Sequence, residues 1–125
     1  MLQVCASTDP NRGGLDMPRL TSRFWVDAYL ARLRLGDVPA FVVAHGDDTA
    51  GSVLVKLNTL DGQAQLFQRN YHLLEDRQQW DVILSDAEAA VDAAVARQRA
   101  VDPDLWVVEV EDRNGRHLLD EPGFA

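Results

Sequence analysis

Carboxylates and histidines are the side chains of this sequence with the most chemistry to offer. Glu109 and Glu111 stand two residues apart in Trp106-Val107-Val108-Glu109-Val110-Glu111, and Asp112 follows directly. On an extended strand that spacing puts both glutamates on one face, where a carboxylate pair could move protons or hold a divalent cation. Asp47-Asp48 and Asp102/Asp104 form two further acidic groups. Turns favour aspartate, and an exposed strand face carries charge to discourage edge pairing, so solvation is the stronger reading for all three groups. The histidines are His45, His72 and His117, and no pair has the i, i+4 spacing that presets a helix-borne zinc site. No metal is expected.

Nucleophilic and nucleotide chemistry find no support either. Cys5 lies in a stretch crowded with Ser7, Asp9, Pro10, Asn11, Gly13 and Gly14, and no Gly-x-Ser-x-Gly elbow occurs. Gly46-Asp-Asp-Thr-Ala-Gly51 feeds an apolar run rather than a helix N-terminus, so it is not a phosphate loop. Neither a catalytic residue nor a cofactor is expected.

The bulk composition narrows the partners. A chain of 125 residues, 46% hydrophobic and 26% charged, suits one domain that buries a modest core without disulfide or metal. Cys5 is alone, which excludes an intrachain disulfide and suits a reducing cytoplasm. No apolar run approaches the roughly 18 residues of a membrane span, and no charged-then-apolar leader opens the chain. A formal net charge of −8 argues against neutralising phosphates as the main task. Arg12, Arg19, Arg23, Arg32 and Arg34 do surround Phe24, Trp25 and Tyr29, a combination that RNA could use. The blander reading, aromatics in the core and arginines on the outer face, is the stronger.

The elements that must place these residues are legible from periodicity. Residues 1–17 read as a disordered tail ahead of a single domain over 18–125, with Met17 an alternative start of translation. Thr21 is the N-cap of a first helix to about Leu35, with Leu20 and Trp25 as its hydrophobic staple. Phe24, Ala28, Ala31 and Leu35 share one face of it. Gly36 ends the helix and Pro39 discourages its resumption. Strand patterns cover 40–45, 52–60 and 63–69, and Trp80, Val82 and Leu84 mark a fourth. Asp61-Gly62 predicts a two-residue hairpin that sets Leu57 opposite Leu66 and Thr59 opposite Ala64. Lys56, Asn58, Gln65 and Arg69 then occupy the other face, with Phe67 as its apolar exception. Ser85-Asp-Ala-Glu88 is a capping box for a second helix to about Ala100, whose inner face is Ala87, Ala90, Val91, Ala94 and Val95. Asp102-Pro103 stops it. A last strand follows, with Trp106, Val108 and Val110 on its apolar face, and Asn114-Gly115 predicts a type I′ hairpin turn.

The order α-β-β-β-β-α-β predicts an α+β domain: a mostly antiparallel sheet of four to five strands with both helices on one face. That order is similar to the middle of the acetyl-CoA-dependent N-acetyltransferase fold. The turn that would grip pyrophosphate is here Leu84-Ser85-Asp86-Ala87, without glycine or arginine, so the activity is not expected. A closer resemblance is carried by Asp102-Pro-Asp-Leu-Trp106 and the strand after it, with Arg19-Leu-Thr-Ser-Arg-Phe-Trp-Val-Asp-Ala-Tyr-Leu30 and Ala50-Gly-Ser-Val-Leu-Val-Lys56 as weaker marks. From about Pro18 to Glu121 the chain resembles a family of small alphaproteobacterial proteins, domain of unknown function 1491. The resemblance implies no activity, cofactor or catalytic residue. The expectation is therefore a non-enzymatic cytoplasmic binding or accessory protein whose partner is another protein or a second copy. Its candidate contact residues are Arg32 and Arg34 on the first helix and Trp106, Glu109 and Glu111 on a strand edge. A small enzyme or ligand sensor, using the carboxylates near Glu109 with His117 or His45, is the alternative.

Overall fold

The computed structural model describes residues 20–124, so the expected tail and Cys5 lie outside the described residues. Seven elements follow in the expected order: α1 (Ser22–Leu35), β1 (Ala40–Ala44), β2 (Val53–Asn58), β3 (Gln63–His72), β4 (Arg77–Ala87), α2 (Glu88–Val101) and β5 (Trp106–Glu111). The class is α+β, with one five-stranded sheet ordered β1-β5-β2-β3-β4. β2, β3 and β4 form an antiparallel meander. α2 then carries the chain back across the sheet, so β5 arrives parallel to β2 and antiparallel to β1.

This return places the C-terminal strand inside the sheet. Trp106 through Val110 are all buried, and β5 is not the acidic edge that its sequence suggested. The true edges are β1 and β4. No final hairpin forms. Gly115 has φ +76°, while Asn114 is not among the residues with positive φ, as a type I′ turn would require. The Gly115 N–H donates to the Asp112 carbonyl at 3.1 Å, and the Asp112 carboxylate accepts from the backbone N–H of Arg116 at 2.7 Å. The chain then runs over α1 instead of pairing back.

The two helices cover opposite faces, which corrects the one-face arrangement. Trp25, Val26, Tyr29 and Leu33 of α1 pack with Val53, Val55, Leu57, Phe67, Trp106, Val108, Val110 and Leu119. Val91 of α2 packs with Leu54, Ala64, Leu66 and Leu105. The near-continuous apolar run of β2 is the physical sign of this: a strand buried on both faces has no reason to alternate. On α1 the buried stripe is Trp25, Tyr29 and Leu33, spaced by four, while Phe24 and Leu35 point to solvent. The Thr21 hydroxyl caps this helix by accepting from the Phe24 N–H at 3.2 Å. Gly36 closes it by donating to the Leu33 carbonyl at 3.0 Å.

The β2–β3 register differs by one residue from expectation. Leu57 pairs with Gln65, Lys56 with Leu66 and Asn58 with Ala64. The turn is longer than Asp61-Gly62: the Thr59 N–H reaches the Gln63 carbonyl, Leu60 sits at φ +61°, and its N–H donates to the Asn58 side chain at 2.8 Å. A one-residue slip exchanges the faces of one strand relative to its neighbour. Lys56 and Asn58 therefore lie with Leu66 under α2, and Arg69 lies with Phe67 on the α1 face. The Ser85 capping box is also absent, because Ser85 continues β4 opposite Gln65 and Ala87 caps α2 without a side-chain bond.

One loop locks β5 in place. Asp47 donates its N–H to the Asp104 carbonyl and accepts the indole N–H of Trp106 on its own carbonyl, at 2.9 and 2.8 Å. A Cβ on Gly46 would run into the Asp104 carbonyl oxygen and stand 2.6 Å from Cδ1 of Trp106; one on Gly51 would meet the same carbonyl. Both glycines are needed for close approach.

Candidate functional site

The five residues singled out by sequence do not share a surface. Glu109 and Glu111 lie on the α2 face, opposite Lys56 and Asn58 of β2. Glu109 is only 9% exposed, and Glu111 is half-buried. Trp106 is buried on the other face as part of the α1 core. Arg32 is engaged by Glu121 through two parallel bonds, Nε to Oε1 at 2.9 Å and Nη2 to Oε2 at 2.8 Å. Arg34 alone stands exposed at the end of α1.

Glu109 belongs to a buried ion cluster that sequence reasoning missed. Lys56, 3% exposed, reaches Asp92 at 2.6 Å, Glu88 at 2.8 Å and Glu109 at 3.2 Å. Asn58 donates to Glu88 at 3.1 Å and to Glu109 at 3.3 Å, so the carboxylates are bonded as well as paired. Burial by itself would lower the lysine pKa. The hydrogen bonds to Asp92 and Glu88 and the charge of Glu109 outweigh it and hold the ammonium well above the ordinary lysine range. The amine therefore stays protonated and acts as an internal counter-ion to the three carboxylates. The signal for it was Glu88 at the start of α2, read instead as half of a capping box.

The histidines are elsewhere. The His117 ring packs on Phe67, with centroids 4.7 Å apart, on the α1 side of the sheet. Its Nδ1 accepts the Leu119 N–H at 3.1 Å and its carbonyl accepts the Tyr29 hydroxyl at 2.7 Å. Burial holds its pKa below the usual histidine value. His45 lies on the Trp106 ring with centroids 4.1 Å apart, and its Nε2 is 2.7 Å from Asp48. The sheet separates Glu109 from His117, so the carboxylate and histidine pairing expected of an enzyme or sensor is not assembled there.

A different group of residues does converge on a cavity. The β3–β4 register sets Arg69 opposite Trp80, and α1 lays Trp25 over both. The Arg69 guanidinium stands 5.7 Å from the Trp25 ring and 5.5 Å from the Trp80 ring, within cation–π range of each. Desolvation lowers its pKa, and no carboxylate among the described residues lies within ion-pair distance. Beside it opens a cavity of about 670 Å³, lined by Leu20, Trp25, Thr49, Ser52, Arg69 and Gln78 among others. The Trp80 indole N–H donates to the Phe124 carbonyl at 2.6 Å, whereas that of Trp25 is buried and has no acceptor among the described residues. Arg69 was assigned to a polar face on the slipped register, which hid its neighbours.

A model of the family described as protein of unknown function (DUF1491) matches residues 20–120. The chain belongs to this family. The match takes in every element of the DUF1491 fold described above, including Arg69 and the Lys56 cluster. The chain is similar to a DUF1491 protein of Caulobacter crescentus in its crystal structure, at 41% identity and a TM-score of 0.71, covering 82% of this chain and 95% of that one. An NMR structure of a DUF1491 protein from the same organism gives 40% and 0.72, covering 85% and 97%. A protein of A. tumefaciens solved in solution gives 26% and 0.63, covering 75% and 86%. No curated protein matches. Among the described residues, no helix is long and apolar enough to cross a membrane.

Proposed function

We propose that this DUF1491 protein is a non-enzymatic cytoplasmic binding or accessory protein that acts through protein contacts made along β1. The observation that carries this reading is the state of that edge strand. Ala40-Phe-Val-Val-Ala44 has no charged residue, and Phe41, Val42 and Val43 are 46%, 38% and 51% exposed. Natural edges are normally blunted by lysine, proline, a bulge or a covering loop; this strand has no lysine or proline, and its one irregularity lies between Val42 and Ala44, beyond the regular Ala40–Val42 segment. Because Glu111 donates its N–H to the Pro39 carbonyl, antiparallel alternation turns the N–H and C=O of Ala40 and Val42 away from β5, toward an incoming strand. Strand addition at such an edge draws affinity from main-chain bonds and specificity from alternate side chains. Arg32, Trp106 and Glu109, engaged within the fold, leave this role to β1.

Sedimentation velocity over a range of concentrations tests the simplest case, a second copy pairing its own β1. The expected result is concentration-dependent association that a Phe41→Lys/Val43→Lys variant abolishes while keeping its fold. A chain that stays monomeric throughout, and whose β1 amides gain no exchange protection in a cytoplasmic extract, would refute the reading.

A further inference from the structure

We infer that the cavity beside the start of α1 binds a small organic acid carrying a single oxyanion group, with Arg69 as the residue that takes that group. The Arg69 guanidinium stands at cation–π distance from Trp25 and Trp80, and its N–H donors have no acceptor among the described residues. A planar fork with unused donors matches a carboxylate or a phosphate oxygen pair. Elsewhere in this acidic fold Lys56 is matched by Glu88, Asp92 and Glu109, Arg32 by Glu121, and Arg116 by Asp112. Arg69 is exposed to the cavity, lies at cation–π distance from two aromatic rings, and has no carboxylate partner among the described residues.

The surroundings narrow the ligand. The α1 N-terminus supplies no anion site of its own, because its first N–H groups donate to the carbonyls of Thr49 and Asp48 and to the Thr21 hydroxyl. Charge recognition therefore rests on one guanidinium, which suits one acid group and not a di- or triphosphate. A net charge of −8 over the chain works against polyanions as well. At about 670 Å³ the cavity is within the usual range for small-molecule sites. Leu20, Trp25 and Val53 offer it apolar walls, while Thr49, Ser52 and Gln78 offer polar contacts for the body of the ligand.

The test uses the full chain, labelled with ¹⁵N, and follows the Arg69 Nε–H and the Trp25 and Trp80 indole signals by NMR. Two panels are titrated separately at constant ionic strength: monocarboxylic and hydroxy acids, and inorganic phosphate with phosphate monoesters. Saturable shifts confined to these signals, produced by members of one panel, are the expected result and identify the acid group. Arg69→Gln should weaken binding on the order of tenfold or more, since it removes a charged hydrogen bond. Arg69→Lys, which keeps the charge without the fork, should fall between and guards against a folding defect. Arg34→Gln should leave affinity unchanged. Absence of saturable shifts with either panel would overturn the inference, and so would shifts that survive Arg69→Gln.

Discussion

Replacing Lys56 with methionine isolates the ion cluster beneath α2. Methionine fills much the same volume, so the change removes the charge, two hydrogen bonds and the ion pair to Glu109 while leaving packing nearly intact. The three carboxylates left behind are not equivalent. Glu88 and Asp92 have side chains 39% and 56% exposed and can turn to water, whereas that of Glu109, at 11%, stays trapped between β2 and α2. Removing one partner of a buried pair typically costs about 3–5 kcal/mol, and the trapped glutamate places Lys56→Met in that range. For a folded unit of this size that is roughly 12–20 °C in Tm. Glu109→Leu combined with Lys56→Met should recover most of the loss, because two apolar side chains of similar volume need no counter-charge. Urea unfolding of the two single variants and the double variant reads the coupling directly. A Lys56→Met cost below about 1 kcal/mol, or a double variant no better than the single, would refute the cluster as a coupled unit. The pH dependence has a fixed sign. A lysine whose folded pKa is raised contributes stability that is complete below its unfolded pKa of 10.5 and is lost as pH rises through the still higher folded value. Its signature therefore belongs to strongly alkaline solution.

Other predictions follow from single contacts. Gly51→Ala drives a methyl group into the Asp104 carbonyl and should destabilise by about 3 kcal/mol in thermal unfolding, whereas Ala50→Gly next to it should be mild. Because burial lowers the folded pKa of His117, the unfolded chain binds the extra proton between that value and 6.5. Stability should be complete above pH 6.5 and fall through this window on acidification, and His117→Gln should remove that part of the pH slope in chemical denaturation. Trp25→Phe should cost less than Trp80→Phe, since it deletes an indole N–H without a partner among the described residues, and the other deletes the bond to the Phe124 carbonyl. Equal losses in a thermal-shift comparison would contradict this ordering.

Local signals in the sequence were read well where one residue type settles the matter. Thr21 caps α1, Gly36 ends it, and Trp106, Val108 and Val110 do face the core. The element order and α+β class were legible for the same reason. What escaped was set by partners distant in the chain. Nothing local to Glu109 says that β2 will lie beside it, so an alternating strand with two glutamates read as an exposed edge. The β2–β3 register turned on Leu60 adopting positive φ, a conformation that leucine does not advertise. That one residue moved Lys56 and Arg69 to faces where their partners could not be guessed: Glu88 and Asp92 across to α2, Trp25 and Trp80 across to α1.

The place of β5 bears on how the chain comes to be folded during synthesis. β1 has no neighbour in the sheet except β5, and β2 has no parallel partner until β5 arrives. A nascent chain can close the β2–β3–β4 meander early, since those contacts are local. The part of the α1 core made by Trp106, Val108 and Val110 must wait until the last of these residues has cleared the ribosome. Over that interval the bare, uncharged β1 segment has both of its sides unpaired, which makes it the stretch a chaperone would be expected to hold.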